Sequence, residues 1–528
     1  MAQPGPSSLE EAIEQLGTIE DGKNTGVEEI SRVQTARTTS NDSHDDPRQW
    51  PIWVKTMVLT QVSVLAALGG LNTATINPAL VDLGEEFGIT SVRASYQTTV
   101  CIALNGVAPW IWIPLANKYG RRPVYLFSLL LGFVSILGCA YAQSYATLIV
   151  ARVFNGFFPA AFALGASTVT DLFPAHQRGR ALGFFTVTMS TGSHLAPIVG
   201  GLVGGFLGWR WIFKFIAIID AVMLMTSFFC CLETLTPKAS VGAEADHKTP
   251  VKLISDHRES DADLENISMQ HVPFSKKTYF THLTLISPHH KIMPTFHPLH
   301  FLLVSLSIAW YPSILLPALY YGTQYGFASI LPAVTVAPIF SEAFGWTTLH
   351  IGLTYGIALT VGGILGEFFA GWIVDLLLIR AKRRRPSKQA QPEVRLHCIW
   401  PGEVLVPAAL LIYGFTLAYH DRVSWFAPIF AIGLACFGLQ IITTTCYTYA
   451  IDCYKDRSAE VAQVFNFVRQ IIGMTFAFYA VDLGQTIGFQ WLFVFYACCG
   501  GILAFLGILL VMWKGEKSGS RIADRSVQ

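Results

Sequence analysis

Long apolar runs recur along this chain between short polar turns, and about twelve of them approach the ~20 residues that a helix needs to cross a bilayer. In the first half they cover Trp53–Leu80, Ala94–Leu115, Val124–Ala142, Thr147–Thr170, Ala181–Phe206 and Trp211–Leu232. In the second half they cover Pro312–Pro338, Ile351–Ile379, Pro401–Tyr419, Trp425–Ala450, Ala459–Leu483 and Trp491–Trp513. The basic turn Pro114–Val124, carrying Lys118, Arg121 and Arg122, has a degenerate later copy in Gly371 to Asp375 followed by Arg380 and Lys382–Arg385. The pattern therefore predicts an all-α polytopic membrane protein of two related six-helix halves.

The boundaries follow from where the pattern fails. Residues 1–50 are polar and read as a disordered cytoplasmic tail, 51–233 as the first six-helix bundle, and 234–300 as a His-rich cytoplasmic linker. Residues 301–513 form the second bundle and 514–528 a cytoplasmic C-terminal tail. Phe301–Trp310 reads as an interfacial lead-in, since an extra span would flip the second half and export the basic cluster at Arg380. With twelve spans, Lys118, Arg121, Arg122, Arg178, Arg180, the Arg380 cluster, Lys455 and Arg457 share one face. Asp82, Glu85, Glu86 and Glu342 lie opposite. The positive-inside bias puts both termini, and the sequons at Asn41 and Asn266, in the cytoplasm, so neither sequon is expected to be glycosylated.

Composition sharpens this. Hydrophobic residues make up 52% and charged residues 13% of the chain, against roughly 25% charged in a soluble domain. A net charge of +1 provides no field for nucleic acid. The ten cysteines fall almost wholly inside apolar runs, where they act as small hydrophobes. No cleavable signal peptide is seen at the start. His289 and His290 lack ligand-spaced partners and read as solvated loop residues, so no metal is expected.

Charges inside apolar runs are costly, and they face cavities or partners. Glu367 lies eight residues before Asp375, roughly 12 Å along the helix at 1.5 Å per residue. Asp220 lies about as deep in the sixth run. The membrane interior favours a neutral carboxyl, as a group that loads and releases protons needs. Either residue is a proton-coupling carboxylate or an interhelical hydrogen-bond partner. His194, beside Pro197, and the intramembrane Arg152 and Arg469 are coupling candidates too, with packing or carbonyl binding as their plain alternatives. Asn77, Asn105, Asn155, Gln324, Gln440, Thr444, Tyr447 and Asn466 could line a central cavity. Tyr320, Tyr321 and Tyr325 of the seventh run offer aromatic faces, with packing or an interface belt as the plain alternative.

Several motifs now bear comparison with a known family. The turn Asn117-Lys118-Tyr119-Gly120-Arg121-Arg122 resembles the loop between helices two and three of major facilitator superfamily transporters, with Asn117 where that pattern has Asp and Ile113 where it has Gly. Gly371 and Asp375 keep both positions in the second half. Leu148-x-x-x-Arg152-x-x-x-Gly156 is similar to the fourth-helix pattern whose Arg is associated with proton handling. Gly192-x-x-x-Ala196-Pro197-x-x-Gly200-Gly201 resembles the antiporter pattern of exporters. The stretch Leu71 to Leu80 is similar to the first helix of drug exporters, with Asn72 in place of an Asp. The opening Asp46-Pro47-x-x-Trp50-Pro51, Gly208 to Phe213, and Glu233-Thr234 look like the fungal drug:proton antiporter branch.

The resemblance implies the twelve-helix fold of that superfamily and alternating access between its halves. It also implies proton-coupled export of small amphipathic compounds such as drugs, toxins or secondary metabolites across the plasma membrane. An uptake symporter for a small nutrient and a non-transporting sensor are the alternatives. No enzyme activity is expected, because no nucleophile–base pair or metal-ligand spacing occurs. No ATP-binding Gly-rich loop is present, so the proton gradient is the energy source and no cofactor is expected. The expected partners are a small-molecule substrate and the lipid bilayer, with the chain acting as a monomer.

Overall fold

The computed structural model describes residues 47–235, 283, 303, 306–384, 393–454 and 457–513. Asn41, Asn266, His289, His290, Lys455, nearly all of the linker and the last fifteen residues lie outside the described residues. Every regular element described is helical. Nine segments are long and apolar enough to cross a membrane, or ten when the bent pair Ser91–Val107 and Pro109–Tyr119 is taken as one span. Two further helical segments complete a twelve-helix fold. The fourth span is broken into Tyr145–Asn155 and Ala161–Leu172, and the fifth, Ala175–Leu207, is diluted by the glycines and hydroxyls it uses for packing.

Boundaries shift in ways that local chemistry explains. The first span runs on past Leu80 to Phe87, because Asn77-Pro78-Ala79 forms a single 3₁₀ turn that the chain crosses without leaving its axis. The second bends by 43° where Ala108 meets Pro109, whose nitrogen cannot continue the helical ladder. In the seventh, a π turn over Gly326–Ile330 lets the Leu331 N–H reach the Gly326 carbonyl just before Pro332 interrupts the ladder. The eighth helix does not stop near Ile379 but continues to Arg384.

The packing repeats between halves. The first span lies on the fifth as the seventh lies on the eleventh, the third on the sixth as the ninth on the twelfth, and the second on the fourth as the eighth on the tenth. Across the junction the fifth packs on the eighth and the second on the eleventh, again equivalent pairs. The hairpins joining spans five to six and eleven to twelve both turn at a left-handed glycine, Gly208 (φ 87°) and Gly488 (φ 89°). Such a two-fold relation places binding sites near the midplane between the halves.

The two ends differ. At the end bearing Asp82 and Glu342, one continuous apolar core joins both halves, running from Ile76, Leu80 and Leu83 to Leu331, Val336 and Phe340. At the end bearing Arg121, the buried members of a separate core all come from the first half, from Trp50 to Leu232. The fifth and eighth spans record the same gradient. A Cβ added at Gly201 would lie 2.7 Å from the Gly352 Cα, whereas one at Gly179, Gly183 or Gly371 would meet nothing among the described residues. The halves are closed on each other at the acidic end and parted at the basic end.

Candidate functional site

Four polar groupings lie inside the bundle. The first belongs to the amino-terminal half and centres on Arg152, which has no solvent exposure. Its Nε donates to Gln97 Oε1 at 2.5 Å, and its Nη1 donates to the Asn72 carbonyl (2.8 Å) and Asn155 Oδ1 (3.1 Å). Asn72 donates its own amide to Asp220 at 3.3 Å and accepts from Asn155 at 3.4 Å. Gln97 continues through Thr98 to Asn77 Oδ1, at 2.7 and 3.0 Å. The Phe213 ring covers the guanidinium, its centroid 4.8 Å away. The break in the fourth span, just after Asn155, brings Arg152 and Asn155 into this layer together. Predicted residues Arg152, Asn155, Asp220 and Asn77 thus meet, and Asn72 and Gln97 hold them together. Asn77 and Asn155 are buried within this network, so they brace the first half and do not line an open cavity.

The second grouping spans the junction. Ser190 on the fifth span donates to Glu367 Oε1 on the eighth at 2.6 Å. One helical turn further along, His194 fills the notch left by Gly363 and lies 3.6 Å from Cys436 Sγ on the tenth. Gln440 packs where Gly366 lets the tenth span approach. The fifth span can enter here because its small residues are spread over two faces: Gly192 and Gly200 rest on the Ala67 and Thr75 backbone of the first span, and Gly201 rests on Gly352 of the eighth. Pro197 lies within this helix and its carbonyl touches Gly352. Small-residue spacing in the antiporter-like motif therefore serves close approach to both neighbours.

The third grouping gathers Arg469 and Asn466 of the eleventh span with tyrosines of the seventh and tenth. Arg469 Nη1 donates to the Tyr321 hydroxyl at 3.1 Å and Nη2 to Asn466 Oδ1 at 2.8 Å. Tyr325 and Phe162 cover the guanidinium from the two halves, with centroids at 4.5 and 5.6 Å. Tyr447 packs edge-on against Tyr321 at 5.5 Å. Asn466 donates to the Asn105 carbonyl, linking the halves at 3.1 Å. With its amide oriented to pair both ends, Asn105 donates to the Gly156 and Phe158 carbonyls (2.9 and 3.2 Å) and accepts from Thr73 (3.2 Å). Asn105 ties down the break in the fourth span while remaining partly exposed.

At the basic end, the predicted turn is assembled around carboxylates that do not come from the turn itself. Gly120 adopts φ 99°, a conformation that disfavours any side chain. It aims the next two N–H groups at Glu233, which accepts from Arg121 N and Arg122 N at 3.1 Å each, so the third helix begins on a captured anion. Arg121 pairs with Asp171 at 2.5 Å, and Arg122 donates to the Phe228 carbonyl at 2.7 Å. The Asn117 side chain takes no hydrogen bond among the described residues, and Lys118 lies over Tyr119. The carboxylate missing at Asn117 is thus supplied by Glu233 and Asp171. Gly371 has no close neighbour among the described residues, and the side chain of Asp375 lies outside the described set.

The fourth grouping escaped sequence reading. Glu403 of the ninth span, only 7% exposed, accepts a hydrogen bond from the Tyr320 hydroxyl. Gln324 lies nearby, fully buried, with neither end of its amide paired. Tyr320 and Gln324 therefore face the inside of the carboxyl-terminal half and not the junction. In sequence Pro401-Gly402-Glu403 marks only a span start, and the fold turns its carboxylate inward. A buried-acid scan of span ends would have found it. Asp452, at the end of the tenth span, pairs with Arg395 at 2.8 Å.

Comparison with known proteins agrees with this architecture. The sequence model of the family described as Major Facilitator Superfamily matches residues 62–478. The chain is similar to the MFS-type transporter penM of Penicillium rubens, 26% identical over 89% of this chain and 86% of the relative. It is also similar to the efflux pump radE of Floropilus chiversii, 24% identical over 89% of this chain and 80% of that protein. A third relative is the efflux pump atB of Aspergillus terreus, 27% identical over 77% of this chain and 78% of the pump.

Proposed function

The chain belongs to the major facilitator superfamily, a family of multi-pass membrane transporters, and from that premise we propose that it is a proton-coupled exporter of small amphipathic organic compounds. The compounds would be drugs, toxins or secondary metabolites, as the relatives named efflux pumps suggest. The observation that carries the reading is the hydrogen bond from Ser190 to Glu367, because it joins the two halves at the level where they begin to part. A proton taken up by Glu367 removes the charge that Ser190 stabilises and adds an O–H donor to a group that until then only accepts. Protonation then changes an inter-half contact directly, which is what coupling to alternating access requires. Asp220 is a second acceptor, tied through Asn72 to Arg152.

In this reading the proton gradient is the only energy source, with no cofactor, metal or chemical catalysis, and the chain works as a monomer in the plasma membrane. Both termini face the cytoplasm, since Arg121, Arg122, Arg178 and Arg180 lie at the parted end and favour that side. The test is gradient-driven flux of fluorescent amphipathic compounds in vesicles of known orientation, comparing the intact protein with Glu367→Gln. Movement against the proton flow that the variant loses supports export coupled through Glu367. Movement with the protons makes the protein an importer, and gradient-insensitive flux removes the coupling.

A further inference from the structure

Three described arginines pair with a carboxylate: Arg121 with Asp171, Arg210 with Glu86 and Arg395 with Asp452. Arg152 has none, but it is wholly buried inside the first half and surrounded by amide and carbonyl oxygens. Arg469 is different. It is partly exposed, it lies where the halves meet, and among the described residues no carboxylate comes within ion-pair distance. Its polar contacts are one phenol and one amide, and its Nε finds no partner.

A guanidinium held in a low-dielectric layer without an anion has a large unmet electrostatic demand, and its planar fork matches a carboxylate. The surroundings suit an aromatic acid. Tyr325 and Tyr447 are partly exposed beside Arg469, while Tyr321 is buried behind them and holds Nη1 in place. Phe162, from the other half, closes over the guanidinium.

We propose that Arg469 is the anchor for the acid group of the transported compound, and that the substrates are aromatic carboxylates. Arg469 binds the carboxylate, Tyr325 and Tyr447 receive the ring, and Tyr321 is a positioning residue that aims the guanidinium. An anion bound here touches both halves, so it favours their approach around it. The use of the site in transport rests on the reading above, but the binding itself does not.

The experiment is equilibrium binding to the purified full-length protein in lipid nanodiscs, without any gradient, using three probes of one shape: 2-naphthoate, 2-naphthamide and 2-naphthylmethylammonium. The carboxylate is expected to bind at least tenfold more tightly than the amide, and the ammonium most weakly. Arg469→Gln should bring the carboxylate down to the amide's affinity while leaving the amide unchanged. Arg469→Lys should keep part of the preference, as a point charge without the fork would. Equal binding of the three probes, tightest binding of the ammonium, a carboxylate preference that survives Arg469→Gln, or binding of none of them would each overturn the proposal. Should Arg469→Gln fail to fold, the wild-type order of the three probes and Arg469→Lys still decide. Proton-driven flux without carboxylate selectivity sinks this inference alone; carboxylate selectivity without proton-driven flux sinks the coupling alone.

Discussion

Asn72 on the first span donates its side-chain amide to the Asp220 carboxylate on the sixth at 3.3 Å, and both residues are buried. The first-helix pattern that this chain resembles has its acid at the position of Asn72. Here the acid stands across the helix contact instead, still one residue away from Arg152. One buried hydrogen bond joins an amide on the first span to a carboxylate on the sixth.

Swapping the two side chains tests which span must carry the acid. Asp220→Asn should lower proton-driven flux by tenfold or more, and Asn72→Asp alone should be damaging, since two acids would crowd one buried site. The double variant Asn72→Asp with Asp220→Asn restores one acid and one amide and should recover a substantial part of the flux. A double variant no better than the worse single one would show that the sixth-span position itself matters.

Ser190→Ala leaves Glu367 in place but removes its partner across the junction. Losing a hydrogen bond to a charged group costs about 1.5–3 kcal/mol in the state that makes it. The expected result is transport that persists with an altered pH dependence, whereas Glu367→Gln abolishes the dependence. Flux measured over a pH series in vesicles checks both.

The fifth and eighth helices touch backbone to backbone at Gly201 and Gly352. Gly201→Leu has no space to fill, and overpacking of this kind costs about 1–3 kcal/mol. The closed acidic end should open, so a cysteine introduced near Thr348 should react faster with a membrane-impermeant thiol reagent from that side. Unchanged labelling would mean that the helices slide without losing their seal.

Glu233→Gln keeps the size of the side chain that receives Arg121 N and Arg122 N but removes its charge. The basic turn should loosen, lowering thermal stability in detergent by a few degrees and raising flux variability little if the turn is only a brace. A fall in flux at unchanged stability would assign the Glu233 contact to the transport cycle itself.

Much of this protein was legible in the chain. Runs of apolar residues of membrane-spanning length, punctuated by basic turns, dictate transmembrane helices because unpaired backbone groups are too costly in hydrocarbon. The duplicated turn marks two halves, and Arg152, Asp220, Glu367 and Arg469 stand out because a charge inside such a run needs a reason. The small residues from Gly192 to Gly201 foretell close helix packing.

What only the tertiary structure decided is who meets whom. Hydropathy depends on each residue's own side chain, but a partner depends on helices far apart in sequence, as with Asn72 and Asp220, Ser190 and Glu367, or Arg121 and Glu233. Helix rotation sorted Tyr320 and Gln324 toward Glu403 inside one half and Tyr321 and Tyr325 toward Arg469 at the junction, although the four lie within six residues. Periodicity places side chains around a helix, but only the packed neighbours determine whether a given face meets a carboxylate, a carbonyl or nothing at all.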